Sequence, residues 1–251
     1  MLKDFTKEKY DIILQAGQSN ADGTGFGEAP NPYEPNDNVW YFNQNFTISE
    51  AAERVTCRKY VTGDLSLQFA RRYIADGRLA AGRKLLIVRS AVGGTGFCDK
   101  RWGLSDDLYL QMMAMVKSAL ALNSDNRLAA LLWHQGESDA FNGASFDTHF
   151  NNFSTLVNTV RNEFNVPNLP LVAGDFVQEW KAKNTEVCTP IVDAMRKVCA
   201  ADNAAFVETD ELPSNWEDNR AVLNDLNDDI HFCRAALYEL GDRYYDAFSG
   251  I

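Results

Sequence analysis

Short, almost unbroken apolar runs alternate along the chain with longer stretches in which apolar residues recur every three or four positions. The runs are Asp11–Leu14, Lys84–Val88, Leu128–Trp133 and Leu169–Ala173, with Ala204–Val207 as a weaker fifth. Unbroken apolarity marks a strand covered on both faces, since a strand with one wet face alternates instead. The periodic stretches 65–79, 106–122, 146–164, 190–201 and 234–248 predict helices. Ser105 ahead of Asp106 and Asp107 reads as an N-cap followed by acids in the first turn, and Thr189-Pro190 puts proline at a first helical position. Strand and helix in repetition predict a parallel sheet with right-handed crossovers and a ligand site beyond the carboxyl ends of the strands. The Gly-, Pro- and Asn-rich segment 23–38 interrupts the repeat, and we expect it to lie as a loop over that site.

Composition narrows the picture. With 251 residues, 45% of them hydrophobic and 24% charged, the chain has the balance of a globular protein and enough apolar surface for a sizeable core. We expect one domain spanning 1–251. A net charge of −11 argues against nucleic-acid or anionic-membrane partners and points to a small or neutral one. No apolar stretch is long enough to span a membrane, and the first ten residues lack the apolar run of a signal peptide, so the expected location is cytoplasmic. Five cysteines with no C-x-x-C pair suit reduced thiols better than a disulfide framework or structural zinc.

Four segments at strand ends carry groups capable of chemistry. Gln15-Ala16-Gly17-Gln18-Ser19-Asn20 places Ser19 where a nucleophile would stand, though a serine there also serves as a plain cap. The segment lacks the second glycine of the G-x-S-x-G elbow, which counts against an α/β-hydrolase. Ala91-Val92-Gly93-Gly94-Thr95-Gly96-Phe97 can turn backbone N–H groups toward an oxyanion or a phosphate, or simply form a glycine turn. No phosphate-loop or dinucleotide fingerprint supports a nucleotide. Trp133-His134-Gln135-Gly136-Glu137-Ser138-Asp139 offers His134 and Glu137 as acid and base, or His134 as a satisfied core histidine, and Gln135 as an N–H donor to developing negative charge. Asp228-Asp229-Ile230-His231-Phe232 can supply a general base with its orienting carboxylate, or Asp225, Asp228 and Asp229 can merely solvate and cap a helix start. His149, set among phenylalanines, has no evident partner and reads as structural.

Together these four segments, in this order, resemble the SGNH hydrolases, and within them the sialate O-acetylesterase-like and family 6 carbohydrate esterases, acetylxylan esterases included. The resemblance rests on Gly17-Gln18-Ser19-Asn20, Gly93-Gly94-Thr95 with Trp102, the 133–139 segment, and Asp228-x-x-His231-Phe232, and it spans nearly the whole chain. It implies a three-layer α/β/α domain with a flavodoxin-like, mostly parallel five-stranded sheet. It implies further a serine esterase that removes acetyl groups from carbohydrate hydroxyls without metal or cofactor. Ser19 would be the nucleophile, His231 the base and Asp228 its carboxylate, with Glu137 as an alternative or supporting acid. The oxyanion hole would comprise the Ser19 N–H, Gly94 or Gly93, and Gln135, which stands where many relatives have asparagine. Gln18, Gly93, Thr95 and Trp102 would contact substrate, with Trp102, Phe97 and segment 23–38 as a sugar-stacking wall. Ala21 departs from the methionine common after Gln-Ser-Asn. Two other functions compete: a lipid or aryl esterase on the same fold, for which no broad apolar groove is evident, and a non-catalytic carbohydrate-binding protein, against which the intact Ser19, His231 and Asp228 argue.

Overall fold

A computed structural model describes residues 3–223 and 227–251. In chain order its elements are β1 (Lys9–Gly17), α1 (Ser19–Asp22), β2 (Val39–Phe42), β3 (Ile48–Glu50), β4 (Arg54–Val55), β5 (Val61–Thr62) and α2 (Leu65–Ala75). There follow β6 (Arg83–Ala91), α3 (Asp107–Ala121), β7 (Arg127–His134), α4 (Glu137–Phe141), α5 (Phe146–Glu163), β8 (Leu171–Gly174), α6 (Gln178–Lys183), α7 (Thr185–Cys199), β9 (Ala204–Val207), α8 (Asn215–Leu223) and α9 (Arg234–Ser249).

The five apolar runs form the parallel strands β6-β1-β7-β8-β9, the flavodoxin-like order. The sheet has seven strands rather than five, because β2 pairs parallel to β6 and β3 adds an antiparallel edge beyond it. Every residue of β1 from Tyr10 to Gly17 is buried. Successive side chains of a strand point to opposite faces, so helices must cover both faces of the sheet there. α2 packs with α9 and α5 with α7, while α3 joins α5 through the Lys117–Glu163 ion pair. A single cluster of buried side chains runs through these layers.

Two helix starts differ from expectation. α3 begins at Asp107 with Asp106, not Ser105, at its N-cap, and the Asp106 carboxylate turns back to accept from Gly103 N–H at 2.8 Å. α7 begins at Thr185, so Pro190 lies inside the helix. The buried stripe Cys188, Ile191, Val192, Met195, Val198 and Cys199 carries the helical period through the proline; burial of that face outweighs the one backbone hydrogen bond that Pro190 cannot make. All five cysteines are free thiols, Cys57 and Cys98 exposed and the others buried. Among the described residues no helix is long and apolar enough to cross a membrane.

Candidate active site

The carboxyl ends of β1, β6 and β7 meet where the strand order reverses, the place at which sheets of this kind bind ligands. β1 stops abruptly. Gly17 has φ +132°, and a Cβ there would collide with the His134 carbonyl of β7, so only glycine lets the two strand ends close together. Gln18 N–H then donates to that same carbonyl at 2.9 Å, and the chain turns into α1 with Ser19 as its first residue.

Ser19 meets the segment that precedes α9. His231 Nε2 lies 2.9 Å from Ser19 Oγ, and His231 Nδ1 lies 2.6 Å from Asp228 Oδ1. A carboxylate only accepts, so Nδ1 carries the proton and Nε2 keeps its lone pair for the serine hydroxyl. Burial alone would raise the Asp228 pKa, but hydrogen bonds from His231 and from Asn215 Nδ2 (2.9 Å) outweigh it and hold the carboxyl below its ordinary value. Asp228 is therefore ionised at neutral pH.

The His231 segment is braced from three sides. Backbone N–H groups of Asn215 and Trp216, opening α8, donate to the carbonyls of His231 (2.7 Å) and Asp228 (3.0 Å). Asn20 Oδ1 accepts from Phe232 N–H at 3.1 Å, while Asn20 Nδ2 donates to the Ile230 carbonyl and to Glu137 Oε1. The start of segment 23–38 lies behind it: a side chain at Gly25 would collide with the Phe232 carbonyl, and Phe26 accepts from Arg234 N–H at 2.9 Å. That segment thus backs the histidine, and its later part packs on α9 where Tyr33 N–H donates to the Tyr238 hydroxyl. Asp225 lies outside the described residues.

The other candidates divide between the site and the core. Gly93 is exposed beside the serine; a Cβ placed on it would lie 3.4 Å from Ser19 Cβ. Gly94 is exposed at φ +69° with open space around it. Gln135 is fully buried and donates through Nε2 to Asp139 Oδ2 at 2.9 Å. Gln18 holds α4 in place by accepting from Ser138 N–H through Oε1. Thr95 and Trp102 are not at the surface: Thr95 is 2% exposed and Trp102 0%, and the indole N–H donates to Thr95 Oγ1 at 3.0 Å. Trp102 packs edge-on against Trp133, and Phe97 stacks on the same ring. An aromatic stacks on a sugar only with a wet face, so the proposed stacking wall of Trp102 and Phe97 is instead core packing.

Asp139 and His149 were not among the sequence candidates for the site. Asp139 accepts from the N–H groups of Phe97 (3.2 Å) and Cys98 (2.8 Å) as well as from Gln135, and His149 Nδ1 lies 3.3 Å from its Oδ2. His149 therefore has the carboxylate partner that its sequence neighbourhood did not reveal. One buried carboxylate ties the glycine loop after β6 to the glutamine after β7. Gly96 makes room for it, since a Cβ there would come 2.7 Å from Asp139 Oδ1.

Residues 9–250 match the family model described as carbohydrate esterase, sialic acid-specific acetylesterase. An Escherichia coli protein named probable 9-O-acetyl-N-acetylneuraminic acid deacetylase is 24% identical, the match covering 70% of each chain. A probable carbohydrate esterase of Arabidopsis thaliana is 30% identical over 86 residues, which span 34% of this chain and 32% of the plant protein. The crystal structure of NanS superposes with a TM-score of 0.78 at 20% identity and 97% coverage of both chains, a likeness of fold. The chain belongs to the carbohydrate esterases, in the family of the sialic acid-specific acetylesterases.

Proposed function

We propose that this protein is a serine esterase that removes acetyl groups from the hydroxyls of an acetylated sugar. The observation that carries the reading is the unbroken hydrogen-bonded line from Ser19 Oγ through His231 to Asp228, at 2.9 and 2.6 Å. Ser19 Oγ attacks the acetyl carbonyl carbon while its proton passes to His231 Nε2, and Asp228 stabilises the imidazolium that forms. The oxyanion of the tetrahedral intermediate takes hydrogen bonds from the Ser19 N–H, from Gly93 or Gly94, and from the Gln135 amide, which has a second N–H besides the one given to Asp139. Collapse breaks the bond to the sugar oxygen, which leaves with the proton from Nε2. Water, deprotonated by His231, then attacks the acetyl-serine and releases acetate.

The family description and the name of the E. coli relative support an O-acetylated sialic acid as substrate rather than acetylated xylan. The test is acetate release from O-acetylated N-acetylneuraminate, acetylated xylan and p-nitrophenyl acetate, by wild type and by Ser19→Ala. The reading expects serine-dependent release from the aryl ester and the sialate. Release from xylan alone would overturn the substrate, and equal release by both proteins would overturn the mechanism.

A further inference from the structure

The glycine loop after β6 is fixed at two points, and the two exposed glycines beside the serine lie between them. At its start Val92 N–H donates to the Gly17 carbonyl at 3.0 Å, and Thr95 Oγ1 donates to the Val92 carbonyl at 2.7 Å. At its far end the N–H groups of Phe97 and Cys98 close on the Asp139 carboxylate, at 3.2 and 2.8 Å. Gly93 and Gly94 are exposed, and neither of their N–H groups donates to a described residue. The loop is therefore held on both sides of two backbone amides that stay available.

Asp139 is 0% exposed, and taking a carboxylate out of water is costly unless donors surround it. Burial raises its pKa, but His149, the Cys98 N–H and Gln135 outweigh that, so the group stays ionised. Besides the two loop N–H groups it meets Gln135 Nε2 at 2.9 Å and His149 Nδ1 at 3.3 Å, the imidazole being enclosed by Phe97 and Phe153. What the charge adds to this brace is a direction. An ionised carboxylate accepts and never donates, so it admits the Gln135 amide only with the NH2 toward it. One N–H is then taken up by Asp139, the second is left for the oxyanion, and Gln135 Oε1 is buried with no hydrogen-bond partner among the described residues. An asparagine at 139 would offer an NH2 to that oxygen. The Gln135 amide would turn over, and a lone pair would face the oxyanion where an N–H had been.

We infer that Asp139 is the positioning residue of the oxyanion hole: its carboxylate sets the Gln135 amide with one N–H free for the oxyanion and pins the far end of the loop that carries the Gly93 and Gly94 amides. The inference rests on the proposed esterase activity and gives a task to a buried residue that makes no hydrogen bond to Ser19, His231 or Asp228. Asp139 acts through its neighbours, so it governs how well the transition state is held and leaves the binding of substrate to other groups.

The experiment is a double-variant cycle of Asp139→Asn and Gln135→Ala, read in kcat and KM with p-nitrophenyl acetate on proteins that circular dichroism shows to be folded. Asp139→Asn should lose about 10²–10³ in kcat, the worth of one oxyanion donor, with KM within about threefold of wild type. Adding Gln135→Ala should cost less than about tenfold more, because both changes remove the same donor. A residue that merely braces the fold would lower stability and leave the kcat of the folded protein alone. Unchanged kcat in folded Asp139→Asn, or losses that multiply in the double variant, therefore overturns the inference and leaves the esterase, which wild-type turnover lost in Ser19→Ala establishes by itself. Where Asp139→Asn does not fold, wild type decides by nuclear magnetic resonance of isotope-labelled glutamine side chains, the Gln135 amide being the signal that Gln135→Ala lacks. One of its two protons should lie downfield of its twin and exchange more slowly, as a hydrogen bond to a carboxylate requires. Two protons at the ordinary glutamine position overturn the inference. Absence of serine-dependent hydrolysis by wild type removes the esterase and the role of Asp139 together.

Discussion

His231 and His134 share a local pattern, a carboxylate three residues away, and sit in opposite surroundings. His231 and Asp228 are each about 25% exposed at the side chain and 2.6 Å apart, with a serine hydroxyl on the far ring nitrogen. His134 and Glu137 are 1% and 0% exposed and 3.9 Å apart. Burial pushes the His134 pKa down to about 3 and the Glu137 pKa up, so at neutral pH His134 holds no charge and the pair is no ion pair. His134 spends Nδ1 on the Tyr244 hydroxyl at 2.9 Å, which in turn donates to the Trp133 carbonyl. A histidine and an acid at this spacing can serve as the proposed catalytic pair only where water and a third group reach the ring; enclosed, as His134 and Glu137 are, they pack. His149 with Asp139 is a third variant, fully buried but close at 3.3 Å, and burial on the Asp139 carboxyl is outweighed by His149, the Cys98 N–H and Gln135, which keep its pKa low.

The largest effect should follow from breaking the exposed line. Ser19→Ala and His231→Ala should each cost about 10⁶ in kcat, and the double variant no more, because triad members act as one unit. His134→Gln, by contrast, should retain turnover of p-nitrophenyl acetate if it folds. Additive losses, or a dead His134→Gln with normal circular dichroism, would exchange the roles of the two histidines. Next in size is Asp228→Asn. Without its carboxylate His231 adopts the wrong tautomer, at a cost of up to about 10⁴ in kcat with KM little changed, as steady-state kinetics would show. Gln135→Ala should follow at about 10²–10³ in kcat, the loss of one oxyanion donor. A rise in KM alone would place Gln135 in substrate binding, and no change in either constant would leave its amide to Asp139.

The strands that carry this site were legible in the sequence because burial on both faces leaves no polar position to interrupt an apolar run. The short β2, Val39-Trp40-Tyr41-Phe42, follows a segment rich in glycine, proline and asparagine and has a half-exposed partner in β3, so periodicity alone does not separate it from its loop. The pairing of Asp228 with His231 was legible because only Asp229 and Ile230 separate them. Asn215, which holds Asp228 from another element, was not, since nothing near it in sequence marks the contact. Thr95 and Trp102 misled for a related reason: residues adjoining a glycine loop share a motif with the site, yet the turn at Gly93 and Gly94 sends them inward.

The smallest effect on activity, and the sharpest test of the contrast between the two carboxylates, is that of Glu137→Gln. Glu137 Oε1 accepts from Asn20 Nδ2 at 2.8 Å, and Asn20 in turn holds the Phe232 N–H and the Ile230 carbonyl on either side of His231. Glutamine keeps an oxygen acceptor for Asn20, so kcat should fall by less than about tenfold, the worth of about one net hydrogen bond. Stability should move the other way. A carboxyl whose folded pKa lies above its unfolded value binds more protons in the native state, so its contribution is greatest at low pH and is lost as pH rises from the unfolded value through the folded one. The slope is at most about 1.4 kcal/mol per pH unit for one proton. Glutamine does not titrate. Thermal melts of wild type and Glu137→Gln should therefore diverge with rising pH, the variant gaining relative to wild type as the pH climbs from the unfolded carboxyl value of about 4.3 toward neutrality. A variant that lost ground over that interval, or whose kcat fell as far as that of Asp228→Asn, would show Glu137 working as an ionised partner of the histidine loop.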